Sequence, residues 1–225
     1  MKILIQSIFY REWLKTRFVF VISLVVVLSI MLYIMLDFAQ SVRISGVTNI
    51  VRDIIINNTQ PLITFKYIPT LLGLTLAICQ FTPEMVDRRF RLTLHLPYKE
   101  HYVMAALLAY GVIVLTVVYI VGMLCALFLA KYLPMEVLNH IVFAIYPWLI
   151  CGYITYAIVV ALIIEPSWWR KISFVPLLLT FDFVMLLDCQ PWAFVNSNIL
   201  FVFAVIVAFL TPFYNMIRFK NGESR

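Results

Sequence analysis

The chain has few charged residues for its length. Asp, Glu, Lys and Arg supply 12% of its 225 residues, whereas 64% of the residues are hydrophobic and the mean hydropathy is +1.00. A soluble domain needs a larger polar fraction to cover its surface, so this composition excludes one. The sequence therefore predicts an all-α polytopic membrane protein that forms a single transmembrane domain over residues 1–225.

The sequence also lacks the motifs of several common chemistries. It contains no G-x-x-x-x-G-K-[ST], so the chain has no nucleotide-binding P-loop of its own. Its four cysteines include no C-x-x-C pair, and its three histidines form no H-E-x-x-H motif. No His, Asp and Ser constellation recurs at helical spacing. We therefore expect no metal site, no cofactor in this chain and no catalytic activity of its own.

Long apolar runs are what the sequence does have. A bilayer core about 30 Å thick needs roughly 20 apolar residues per helix. Six runs meet this requirement and predict membrane spans at residues 18–36, 61–81, 102–130, 138–164, 172–187 and 199–217. Two shorter segments are amphipathic: residues 2–16 predict an N-terminal interfacial helix, and residues 44–56 predict a short lateral helix on the outer surface. Plain connecting loops are the alternative for both.

The positions of the basic residues predict the orientation, because cytoplasmic loops of membrane proteins carry an excess of Lys and Arg. If both termini are cytoplasmic, 13 of the 17 basic residues fall on the cytoplasmic side. The other four are Arg43, Arg52, Lys66 and Lys131. We expect an integral inner (cytoplasmic) membrane protein with both termini in the cytoplasm. The membrane accounts for the net charge of +6, so no nucleic-acid partner is implied.

Two charged residues fall inside predicted spans, where ionisable groups are treated as functional candidates. Lys66 lies five residues into the second span, and Asp182 lies in the fifth span about six residues from its outer end. Their similar depth suggests an ion pair or an intramembrane pathway. The alternative is that Lys66 extends outward to the interface while Asp182 faces the interior of the bundle.

A charged segment at residues 83–101 separates the second and third spans. It combines charged residues with apolar ones that can be buried against a partner protein. A basic loop that contacts lipid is the alternative. The residues that predict a docking surface are Glu84, Arg88, Arg89, Phe90, Arg91, Leu92, Leu96 and Pro97.

This layout resembles the ABC-2 type permease subunits of ATP-driven exporters. The resemblance rests on Arg11-Glu12-Trp13 in the N-terminal helix, on six spans, and on a segment after the second span that runs from Glu84 through leucines to Pro97 and Lys99. It implies that residues 83–101 are a coupling helix that fits a groove on a separate ATPase subunit. It also implies a noncatalytic permease that works with a second copy or a homologous permease, while ATP and Mg²⁺ are bound by the partner.

Two other functions stay open at this point. An ion-coupled secondary transporter would use Asp182 and Lys66, although the spans show no inverted internal repeat. A nontransport membrane scaffold would use the charged segment to bind a partner without a transport pathway.

Overall fold

The structure, a computed structural model, describes residues 2–57, 59–60, 62–86, 99–127, 133–187 and 198–220. Within these ranges the chain forms helices and short connections and no β-strand, which confirms the predicted all-α class. A 3-10 turn, Ile63–Phe65, precedes the third helix. The helices are α1 Lys2–Ser45, α2 Val47–Ile56, α3 Ile68–Val86, α4 Glu100–Ala126, α5 Met135–Ile164, α6 Trp168–Met185 and α7 Asn198–Lys220.

Five helical stretches in the described ranges are long and apolar enough to cross a membrane. Each of them overlaps a span predicted from the sequence. These stretches are Gln6–Ser45, Ile63–Val86, Glu100–Ala126, Val137–Ile164 and Ile199–Lys220. The chain is therefore an all-helical protein with the helices of a membrane protein.

The predicted span 172–187 corresponds to α6 and is not among these five stretches. The reason is its charge: the 18 residues of α6 include Arg170, Lys171 and Asp182. The helix itself is present, and it exposes large apolar side chains such as Leu177 and Phe183. A sixth span at this position stays a prediction.

The N-terminal helix differs from the prediction, because residues 2–16 do not form a helix separate from the first span. The helix α1 runs unbroken from Lys2 to Ser45. No glycine or proline interrupts these 44 residues, and the helix ends where Gly46 takes φ 77°. At 1.5 Å per residue α1 is about 66 Å long, so it extends well beyond an apolar layer about 30 Å thick.

The side of α1 that packs against the protein includes a charged residue. Ile8 and Glu12 are buried, Glu12 completely, whereas Trp13 is 42% exposed. A buried carboxylate is costly unless it is paired, and Arg11 and Lys15 of α1 itself supply the cations that pair with Glu12.

The lateral helix predicted at residues 44–56 is confirmed as a helix, α2, which begins after Gly46. It packs on α1 and α5, and Ile54 is its buried contact. Arg52 and Asp53 are exposed on its other side.

Helix α5 is the centre of the bundle. Its most extensive pairing is with α3, followed by α7 and α6, while α1 packs mainly on α4. Two glycines allow the close approach of α3 and α5. A Cβ atom on Gly73 would overlap the carbonyl oxygen of Gly152, and one on Gly152 would lie 2.5 Å from the carbonyl oxygen of Pro69. Small residues at such contacts let helix backbones pack closely in membranes.

The charged helix ends meet at one end of the bundle. Lys15 of α1 contacts Glu84 at the end of α3, and Lys220 at the end of α7 contacts Glu100 at the start of α4. We call this region the basic end; it contains residues 11–17, 84, 99–100, 165–171 and 218–220.

Candidate functional site

The largest charge cluster among the described residues joins α1 to α3 at the basic end. It contains Arg11, Glu12 and Lys15 of α1 and Glu84 of α3. The Lys15 Nζ atom lies 2.9 Å from Glu12 Oε1 and also contacts Glu84 Oε1. The Arg11 Nη2 atom lies 3.3 Å from Glu12 Oε1 and 3.6 Å from Glu84 Oε1. Two cations thus bridge two carboxylates from different helices.

Both carboxylates of this cluster are buried. The side chain of Glu12 is 0% exposed and that of Glu84 is 1% exposed, while Lys15 is 16% exposed and Arg11 reaches the surface. In each glutamate the Oε1 atom accepts the ion pairs and the buried Oε2 atom has no hydrogen-bond partner in the described structure. Removing a cation from such a site leaves buried negative charge without compensation, which is far more costly than losing an exposed pair.

A chain of hydrogen bonds continues from the cluster toward the middle of the bundle. One turn after Glu12, the hydroxyl groups of Thr16 and Tyr110 lie 2.5 Å apart and join α1 to α4. One turn before Glu84, the Nε2 atom of Gln80 donates to the carbonyl oxygen of Leu107 on α4 at 2.9 Å. The Tyr156 hydroxyl of α5 donates to Gln80 Oε1 at 2.9 Å. The end of α3 is therefore connected by polar contacts to α1, α4 and α5.

A second buried ion pair at the basic end joins α7 to the end of α5. The Arg218 Nη1 atom lies 2.6 Å from Glu165 Oε1, and the two side chains are 9% and 1% exposed. One turn earlier on α7, Asn215 donates to the carbonyl oxygen of Ala161 at 2.8 Å. These contacts satisfy the carbonyl group of Ala161 and the Oε1 atom of Glu165 where α5 ends, whereas the buried Glu165 Oε2 atom has no hydrogen-bond partner among the described residues.

Only one of the predicted docking residues belongs to the described part of the chain. Glu84 is buried, and its carboxylate contacts α1 of the same chain rather than facing outward. At this position Glu84 can hold the start of the segment 83–101 against α1. The other predicted residues, Arg88, Arg89, Phe90, Arg91, Leu92, Leu96 and Pro97, lie outside the described residues, so their role stays a prediction.

The two charged residues predicted inside the spans have different neighbours. Asp182 Oδ1 accepts hydrogen bonds from the Cys151 thiol and the Thr155 hydroxyl of α5, both at 3.0 Å. Lys66 is 3% exposed, and its Nζ atom lies 5.6 Å from the centre of the Tyr67 ring. Asp182 thus attaches α6 to α5, while Lys66 lies between the 3-10 turn and α3. The pairing of Lys66 with Asp182 stays a prediction that these contacts do not favour.

Exchange of the two charges tests the pairing. We expect the double variant Lys66→Asp with Asp182→Lys to be no more stable than the less stable single variant, because the two residues have separate neighbours. The stability of each variant is measured by heating the detergent-solubilised protein and determining, by size-exclusion chromatography, the temperature at which the folded protein is lost. A double variant clearly more stable than both single variants would instead establish the ion pair.

The sequence singles out three of the four cluster residues but does not predict that they form a cluster. Arg11 and Glu12 belong to the resemblance and Glu84 to the predicted docking surface, while Lys15 falls in the predicted interfacial helix 2–16. The available signal was the spacing of Glu12 and Lys15, since residues three apart are neighbours on a helix. Nothing in the sequence indicated that Glu84, 69 positions further on, would complete the cluster.

Comparisons of the chain with protein-family models, with curated proteins and with solved structures found no match. The resemblance to ABC-2 permeases therefore rests on the layout of the chain and the quoted residues alone.

Proposed function

We propose that this chain is the membrane permease subunit of an ATP-driven ABC exporter. In this proposal a separate ATPase subunit binds residues 83–101, and a second copy or a homologous permease completes the transport unit. One observation carries most weight: Glu84, at the start of the segment that would dock, is held against α1 by the buried cluster with Lys15 and Glu12. A movement of this segment would therefore act on a rigid junction of two helices.

The contacts of α3 suggest how such a movement would reach the rest of the bundle. Closure of the ATPase would shift the end of α3. The cluster at Glu84 would transmit the shift to α1, and the hydrogen bonds of Gln80 would transmit it to α4 and α5. Packed helices joined by such contacts move as rigid bodies rather than deforming gradually.

The proposal includes α6 as a sixth span, with both termini in the cytoplasm of an inner-membrane protein. Its 18 residues reach about 27 Å, close to the thickness of the apolar layer. The hydrogen bonds of Asp182 to Cys151 and Thr155 near the middle of α5 support this placement, because they mean that α6 runs along α5 and away from the basic end. The apolar side chains that α6 exposes would then face lipid.

Copurification tests the docking proposal. We expect a P-loop ATPase to copurify with the tagged protein in mild detergent and to be lost from the variant Arg88→Glu with Arg91→Glu, because the reversed charges would repel the carboxylates of the partner. The matched control is Arg43→Glu with Arg52→Glu, which reverses two exposed charges at the opposite end of the bundle. Mass spectrometry and an ATPase assay of the eluate provide the measurement.

The other outcomes of this experiment separate the remaining functions. An ATPase retained by the Arg88 and Arg91 variant would contradict docking through this segment. Recovery of the wild-type chain without any ATPase would overturn the permease proposal and leave ion-coupled transport, with Asp182 and Lys66 as its candidate groups, or a scaffold role.

A further inference from the structure

A groove lies between α6 and α7 on the side of the bundle. Both helices pack on α5, whereas α6 and α7 are not among the main helix pairings of the described structure. The gap has a volume of about 480 Å³, which is within the roughly 300–1,000 Å³ of small-molecule sites. Ile154 and Ile158 of α5 form its floor. Its walls include Phe174, Leu177 and Phe181 of α6 and Phe203, Ala204 and Val207 of α7.

The lining of this groove is apolar, and its two hydroxyl groups are already bonded. Thr180 donates to the carbonyl oxygen of Leu177 at 3.1 Å, and Thr211 donates to that of Ala208 at 2.7 Å. The protons of both hydroxyl groups are therefore already used, and an occupant gains little from polar groups along the groove. A hydrocarbon chain is the ligand that such a lining fits.

The end of the groove nearest the basic end is positively charged. Arg170 precedes Phe174 by four residues, so it heads the helix face that continues through Phe174 and Leu177 along the groove. Neither Arg170 nor Lys171 has an ion pair within the described ranges. Next to them, Trp168 is 72% exposed and Trp169 is 83% exposed, as is usual for aromatic side chains at the level of lipid headgroups.

We propose that this groove holds one acyl chain of an anionic phospholipid, whose headgroup binds Arg170 and Lys171. Basic residues at the cytoplasmic ends of transmembrane helices attract anionic headgroups, and the lining of the groove on α6 begins at Phe174, one turn after Arg170 and Lys171. A helix from a second copy fits less well. A second copy with the same orientation would place its own basic end beside Arg170 and Lys171, and like charges repel.

Native mass spectrometry of the full chain tests this proposal with two lipids, dioleoylphosphatidylglycerol and dioleoylphosphatidylcholine. We expect the wild-type chain to retain the anionic lipid preferentially. Arg170→Gln should weaken this binding about fivefold, whereas Arg17→Gln, at an exposed position of the basic end on α1, should not. Ala204→Phe fills the groove and should abolish the retained lipid. Val202→Phe, on the exposed opposite face of α7, is its matched control.

Three results would overturn the proposal: equal lipid retention by Ala204→Phe and Val202→Phe, equal retention by Arg170→Gln and Arg17→Gln, or a wild-type dimer that Ala204→Phe dissociates. The last result would assign the groove to a second copy.

A second measurement uses the wild-type chain and does not depend on the folding of a variant. A phosphatidylglycerol with a photoreactive acyl chain should crosslink mainly to groove residues such as Leu177 and Val207. The exposed apolar face of α1, which includes Val25 and Leu32, is the internal control. Equal crosslinking of the groove and of the exposed face of α1 would contradict a specific lipid site. The proposal rests on the membrane orientation proposed above and not on the permease function, because both measurements detect lipid and neither requires an ATPase.

Discussion

Replacement of Lys15 by methionine is expected to destabilise the protein by about 3–5 kcal/mol, the usual cost of removing one partner from a buried ion pair. Lys15 lies between two carboxylates that are almost completely buried, Glu12 and Glu84. Without Lys15, only the surface-reaching Arg11 would remain to compensate them. Thermal unfolding of the detergent-solubilised variant measures the loss.

The control for this prediction is Arg17→Met, two residues further along α1. Arg17 is exposed, so its replacement should change stability by no more than about 0.5 kcal/mol. Glu84→Gln in the Lys15→Met background should recover part of the stability, because it removes one of the uncompensated charges. The wild type, Lys15→Met, Glu84→Gln and the double variant form a double-mutant cycle. Residues in contact show coupling energies of about 0.5–3 kcal/mol in such cycles. Equal stability of Lys15→Met and Arg17→Met would contradict the buried cluster.

Variants of the cluster can also distinguish an effect on stability from an effect on transport. If it transmits movement of residues 83–101, a Lys15→Met variant that still copurifies with an ATPase should show ATP hydrolysis uncoupled from transport. Loss of the ATPase together with the fold would indicate a structural role alone.

Replacement of Gly73 by alanine is expected to disrupt the most extensive helix pairing of the bundle. The added Cβ atom would overlap the backbone carbonyl oxygen of Gly152, which cannot turn away as a side chain can. Helices α3 and α5 would have to separate, and overpacking of this kind costs about 1–3 kcal/mol or more. We expect a lower unfolding temperature and a smaller yield of monodisperse protein.

Gly122 provides the matched control for this substitution. A Cβ atom there would lie 3.3 Å from Val27 Cγ1, a side-chain atom that can shift by a few tenths of an ångström. Because alanine favours a helix over glycine by up to about 1 kcal/mol, Gly122→Ala should be close to neutral. Similar losses for the two variants would show that α3 and α5 do not approach as closely as described.

The end of α3 belongs both to the buried charge cluster and to the segment proposed to bind the ATPase. Glu84 was predicted as a docking residue, but it is buried against α1 and anchors the start of the segment 83–101. Mutation of Glu84 would therefore disturb the protein itself as well as any docking. For this reason Arg88 and Arg91, rather than Glu84, are the residues to change in the copurification experiment.

Apolar run length determined the positions of five spans and the membrane class, because the requirement for about 20 apolar residues per span is local in sequence. The period of apolar residues likewise located α2, and the absence of glycine and proline before Gly46 is the sequence feature behind the length of α1.

Tertiary structure alone decided which side of α1 is buried and what its charges contact. Amphipathicity assigns Glu12 and Lys15 to water, yet both are largely buried, because Lys15 pairs with Glu12 and also with Glu84, which lies 69 positions further along the chain. The same holds for Asp182, whose partners Cys151 and Thr155 lie on another helix. Apolar periodicity is local in sequence and indicates which side of a helix is apolar. The pairing of charges between helices depends on which helices pack against each other, and this is determined only by the tertiary structure.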